Sequence, residues 1–126
     1  MRVVLDASAV LALLNREAGA DVVQSHLADA ALSVANAIEI GSKLVDGGMS
    51  REAAWEAIEL LDIELIELDV ELAGLATALR RDTRHKGLSL ADRACLATAI
   101  REKATALTAD RAWAGLDLPC PIEVIR

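Results

Sequence analysis

Phenylalanine and tyrosine are absent from this 126-residue sequence, and two tryptophans are its only aromatic residues. That poverty excludes a surface that reads single-stranded bases by stacking them on an aromatic platform. Positive charge is also in deficit: 13 basic against 20 acidic residues give a net charge of −7. A generally basic nucleic-acid surface, which works by releasing counterions, is therefore excluded. If the substrate is a nucleic acid, something other than the surface must meet its phosphates. Long apolar runs are missing as well, although 54% of the residues are hydrophobic. No uncharged stretch approaches the roughly 18 to 20 residues of a membrane span, and the first apolar run is broken at Asp6. Met1-Arg2 leads straight into a strand pattern rather than a secretory leader, so the expected location is the cytoplasm, with no membrane partner. Cys95 and Cys120 lack metal-ligand spacing and read as free buried thiols. The length suits one domain spanning residues 1–126.

What the sequence does contain is an alternation of short apolar runs with helical periodicity. Strands are expected over residues 2–5, 31–35, 63–68, 104–108 and 122–125. Between them lie helical stripes: one from about Ser8, one over 19–28, one opened by Asn36 and stopped at Gly47-Gly48, and one from Ser50. Asp69 caps a further helix that ends in the basic segment Arg80 to Lys86, and Ser89 begins a helix that is apolar nearly all round. Asp110 to Gly115 allows one or two helical turns. Strand and helix in alternation specify an α/β fold: a mostly parallel central sheet of about five strands with helices on both faces, a three-layer α/β/α arrangement. Such sheets bind ligands beyond the carboxyl ends of their strands, where strand order reverses. Asp6 follows the first strand and Asp110 follows the fourth, so the two face one crevice if those strands are neighbours.

Four acids stand at element starts: Asp6, Glu39, Asp92 and Asp110. Each has an ordinary explanation as a helix-start residue accepting hydrogen bonds from free amides. Glu39 lies three residues after Asn36 and Asp92 three after Ser89, the spacing of a capping box. Against that reading, Glu39 is flanked by Ile38 and Ile40, and Asp92 starts the most apolar helix of the chain. A carboxylate drawn into apolar surroundings is costly unless paired or metal-bound. Taken together, four acids placed at one sheet edge repel one another, and a divalent cation is the usual remedy. Oxygen ligands of this kind suit Mg²⁺ or Mn²⁺, which activate water and polarise phosphoryl oxygens.

The segments LDASAVLALL, SVANAIEIGSKL, SLADRACLATA and LTADRAW, in that order and spacing, closely resemble the PIN-domain nucleases, specifically the VapC-type toxins of type II toxin-antitoxin pairs. The resemblance runs from Val3 to the terminal IEVIR. It implies a PIN-like fold in which Asp6, Glu39, Asp92 and Asp110 are the catalytic, metal-binding acids, with Ser8 and Thr108 as supporting hydroxyls. It further implies a Mg²⁺- or Mn²⁺-dependent endoribonuclease acting on RNA, a homodimer, and a cognate VapB-type antitoxin. Arg93 stands where that family commonly has a small residue, and Trp113 where Phe is frequent.

One basic concentration remains, with Arg80, Arg81, Arg84 and Lys86 at its heart. It reads either as a solvated helix end whose cations complement the helix dipole or as a rim contacting RNA phosphates. Arg93 and Arg111, each one residue after an acid, are candidates for the same contact or for salt bridges to a neighbouring acid. His26 and His85 have no ligand spacing and are expected at the surface, and Ala54, Trp55, Ile58 and Leu61 form a core stripe that could also serve a partner surface.

Overall fold

The computed structural model describes residues 2–126. Its centre is β1 (Val3–Leu5), three apolar residues buried on both faces, as a central strand of a parallel sheet requires. β2 (Ala30–Ser33) and β4 (Thr105–Thr108) flank it and are also fully buried. β3 (Glu64–Ile66) and β5 (Ile122–Val124) form the edges, where exposed Glu64 and Glu123 put charge on strands that could otherwise recruit another chain. All four pairings are parallel, in the order β3-β2-β1-β4-β5.

The order explains where the helices go. α1 (Ala7–Leu14) and α2 (Ala20–Ser25) connect β1 to β2, and α3 (Val34–Asp46) and α4 (Arg51–Glu59) connect β2 to β3. Both crossovers step the same way along the sheet. The next connection, α5 (Val70–Ala78), α6 (Arg80–Thr83) and α7 (Leu90–Glu102), jumps back across to β4 on the far side of β1. Because such crossovers are right-handed, reversing the step moves the helices to the opposite face. The core divides accordingly. Val3, Leu5 and Leu32 pack with α1 to α4 through Val10, Val23, Ile40 and Ile58. Val4, Ala31 and Ala106 pack with α5 and α7 through Leu72, Ala76, Leu96 and Ala99, with Trp113 closing that layer. The result is the three-layer α/β/α arrangement, with a sheet that is wholly parallel.

Several boundaries differ from the sequence reading, each for a local reason. The helix expected to open at Asn36 opens three residues earlier, because Ser33 Oγ accepts the Ala35 amide and ends β2 there. The stripe over 19–28 resolves into α2 and a 3-10 turn at Leu27–Asp29. The basic segment does not simply prolong α5. It forms α6 and a 3-10 turn (Arg84–Lys86), stopped by Gly87 in the left-handed region at φ 66°. The turns after Asp110 are a single 3-10 turn, Arg111–Trp113.

Candidate active site

The point where strand order reverses is the β1/β4 pair, and these strands are direct neighbours in register, Leu5 opposite Leu107. Asp6 extends that pairing by donating its amide to the Leu107 carbonyl at 3.0 Å. Its side chain is 3% exposed. It caps α1, Oδ1 accepting the Ala9 amide at 2.8 Å. Ser8 Oγ donates to the same carboxylate, 2.7 Å from Oδ1 and 2.9 Å from Oδ2, and Thr108 Oγ1 donates to Oδ2 at 2.6 Å. The two hydroxyls are held in turn: Ser8 Oγ accepts the Ala109 amide at 2.9 Å, and Thr108 Oγ1 accepts the Asp110 amide at 3.0 Å. Burial pushes the Asp6 carboxyl up to about 6, against the three hydrogen-bond donors that favour its charged form, and the nearby charge of Asp92 adds to the rise.

Asp92 comes from the other face of the sheet. α7 runs back towards β4, so its amino end lies at the edge where the strands finish. There Asp92 and Ser89 form a reciprocal capping box, the Ser89 amide donating to Asp92 Oδ2 at 2.9 Å and the Asp92 amide to Ser89 Oγ at 3.1 Å. Glu39 approaches from the second turn of α3, with its side chain 32% exposed and Lys43 Nζ 4.0 Å away. Partial burial raises its carboxyl, Lys43 opposes the rise, and Asp92 contributes to it. Asp92 thus lies within electrostatic reach of both other acids. The Cys95 thiol, fully buried on α7, is raised first by burial and then by the charges of Asp6, Asp92 and Glu39 among its neighbours, so all three acids act on the same side chain.

Asp110 is at the same edge but exposed, and its Oδ1 caps the 3-10 turn by accepting the Ala112 amide at 2.9 Å. Its link to Asp6 passes through Thr108. The capping explanation therefore holds for Asp6, Asp92 and Asp110 and fails for Glu39, whose helix starts at Ser33 rather than Asn36. Capping leaves acceptor capacity over, since a carboxylate can receive about four hydrogen bonds. As the side chains stand, no three acidic, His or Cys groups among the described residues are close enough to hold a metal ion. The donor chemistry nevertheless fits a hard divalent cation: all four candidate donors are carboxylates, Asp6 is buried, and the charge of Asp92 adds to the rise at both Asp6 and Glu39.

Neither arginine beside the acids forms a salt bridge with one, contrary to the simpler expectation. Arg93 Nη1 donates to the Ala76 carbonyl on α5 at 3.0 Å, and Arg111 Nε donates to the Arg126 carbonyl at 3.1 Å. Both guanidiniums are drawn to backbone oxygens of packed neighbours instead. Arg80, Arg81, Arg84 and Lys86 are exposed, on the segment leading into Ser89 and hence towards Asp92. Cys95 is buried as expected, whereas Cys120 is half-buried. His85 is exposed and His26 half-buried. Of the stripe on α4, Ala54 and Ile58 are core, while Trp55 is 39% exposed beside Ile38 and Val45 across an open groove between α3 and α4.

One residue escaped the sequence reading. Asn36, taken there for a cap, is fully buried inside the first turn of α3, and its Nδ2 donates to the Ala91 carbonyl at the start of α7, 3.2 Å away. A polar residue on the inner face of an amphipathic helix was the available signal.

The model of the PIN domain family matches residues 3–118. Among solved structures, the chain is similar to one in DNA-bound VapBC from Salmonella typhimurium, at 15% identity and a TM-score of 0.73, covering 98% of this chain and 97% of that one. VapBC2 from Rickettsia felis, bound to a promoter DNA fragment, gives 18% identity and a TM-score of 0.73 over 98% of each chain. VapBC-5 from Mycobacterium tuberculosis, a member of the VapBC family of toxin-antitoxin systems, gives 22% identity and a TM-score of 0.64 over 100% of this chain and 99% of that one. At these identities the likeness is one of fold. No curated protein sequence matches the chain.

Proposed function

Because the chain belongs to the PIN domain family over residues 3–118, we propose that it is a VapC-type toxin, a Mg²⁺- or Mn²⁺-dependent endoribonuclease of a type II toxin-antitoxin pair. The observation that carries this reading is the buried Asp6 carboxyl at the reversal of strand order, with Asp92 near enough that its charge adds to the rise at both Asp6 and Glu39. Such a group of acids is unfavourable alone and favourable around a cation.

Asp6, Glu39, Asp92 and Asp110 would hold the metal, which supplies Lewis-acid polarisation of the phosphodiester and a water of lowered pKa. The chain's own residues prepare that site. Ser8 and Thr108 fix the orientation of the Asp6 carboxylate, and Thr108 also ties the Asp110 backbone to it. The capping box holds Asp92 in place at the amino end of α7. Exposed Arg80, Arg81, Arg84 and Lys86 are placed to meet RNA phosphates, with Arg111 as a further candidate. Arg93, committed to the Ala76 carbonyl, is the weaker one.

The proposed partners are a cognate VapB-type antitoxin and a second copy of the chain. The similar structures are VapBC assemblies, and the exposed apolar side chains Ile38, Val45 and Trp55 offer such partners a surface. No helix among the described residues is long and apolar enough to cross a membrane, and the proposed place of action is the cytoplasm, as one domain over 1–126.

RNA cleavage with and without Mn²⁺, comparing wild type with Asp92→Asn, tests the reading. Asparagine keeps an acceptor for the Ser89 amide and removes the charge, so cleavage should vanish while metal-free stability is held or improved. Asp92→Ala should additionally lose the cap, at about 1 kcal/mol. An Asp92→Asn protein that cleaves RNA as well as wild type would overturn the assignment.

A further inference from the structure

Asn36 is 0% exposed, yet only one of its hydrogen-bonding groups is used: Nδ2 donates to the Ala91 carbonyl, while Oδ1 is buried without a partner. The orientation is fixed by chemistry, because Oδ1 turned to the same place would face another acceptor. The Ala91 carbonyl lies within α7, where a regular helix already offers it the backbone amide four residues on. The contact therefore rescues no orphaned backbone group. An unpaired buried amide oxygen is costly, so an apolar residue would make the more stable helix pair. Departures from the stable choice of this kind concentrate at functional sites.

Its place in the fold says what the contact does. Asn36 is three residues before Glu39, so the two share one side of α3. Ala91 is the residue immediately before Asp92 on α7. The one side-chain hydrogen bond between these helices among the described residues thus sits between the two carboxylates that have to be brought together against their mutual repulsion. Resting on the metal-site reading above, we propose that Asn36 is a positioning residue. Its amide ties the first turn of α3 to the first turn of α7, and so sets the spacing of Glu39 and Asp92 for a shared divalent cation.

The test uses the full chain with Asn36→Leu, which keeps the branching at Cγ in a larger side chain and removes the hydrogen bond, Asn36→Ala in case leucine does not fit, and Asn36→Thr, which keeps a donor. Thermal unfolding without metal, Mn²⁺ affinity by calorimetry and the kcat against KM split on RNA are read for each. The expected result is unchanged or higher thermal stability for the leucine or alanine protein, Mn²⁺ affinity weaker by roughly ten-fold or more, a matching loss in kcat, and partial recovery with threonine. Wild-type Mn²⁺ affinity in both the leucine and alanine proteins overturns the proposal and leaves the metal site standing. If both variants unfold, Asn36 is a structural residue and the proposal falls. A wild type that binds no Mn²⁺ removes the metal site itself, and this proposal with it.

Discussion

At the scale of single residues, Asp6 combines burial with a network of donors, and the burial dominates. Its carboxyl is raised from 3.8 to about 6, so between those values the folded chain binds a proton that the unfolded chain has lost. Stability in that window falls as pH rises. The contribution is complete below about pH 4 and lost as pH passes through about 6. Metal-free protein should therefore lose stability between about pH 4 and pH 6, by an amount on the order of 3 kcal/mol from this group. Asp6→Asn should flatten the slope, as measured by urea denaturation across the range. Metal binding has to displace the same proton, so Mn²⁺ affinity should drop as pH falls below about 6.

Asp6, Asp92 and Asp110 were legible as acids at element boundaries that periodicity reveals, whereas Glu39 lies in the second turn of its helix and Ser8 and Thr108 were reached only through the family resemblance. Asn36 was misread because two residues competed to start α3. Ser33 captures the Ala35 amide, which leaves Asn36 one turn inside with its side chain free to reach α7. Arg93 and Arg111 show the same limit: the nearest acid in sequence is not the nearest acceptor once helices pack, and both turn to backbone carbonyls.

At the scale of elements, α7 is held at both ends by different devices. The capping box closes its amino end, while the carboxyl end stops at Lys103 in the left-handed region, φ 53°, where a glycine is the usual occupant. A residue with a Cβ is strained there. Lys103→Gly should stabilise the chain by about 0.5 to 1 kcal/mol in chemical denaturation, without altering RNA cleavage. Near the same end Arg101 reaches Asp69 at 2.7 Å and Glu71 at 3.2 Å, fastening the start of α5 to α7. Element types were readable throughout, but boundaries were not. Strands of three residues such as β3 carry too little pattern to fix their ends, and the turn between α5 and α7 depends on Gly87 rather than on periodicity.

At the scale of the whole molecule, the direction of the layers followed from strand and helix alternation, but the neighbourhood of β1 and β4 did not. That pairing joins residues about a hundred positions apart, and no local signal encodes it. A second long-range contact closes the same side of the sheet. Gly19 sits at φ 94°, and a Cβ there would lie 2.7 Å from Ile125 Cγ1 and 2.9 Å from the Ile125 carbonyl oxygen. Gly19→Ala meets both strain and a backbone obstacle, so it should destabilise the fold by about 2 to 3 kcal/mol in thermal or urea unfolding.

The Asp6 to Thr108 hydrogen bond spans 102 residues, and it has a consequence in time. A chain emerging during its own synthesis presents Asp6, Glu39 and Asp92 before the strand that completes their setting exists, and the loop that brings β4 beside β1 closes late and slowly. A growing polypeptide therefore carries the acids without the assembled edge that orients them.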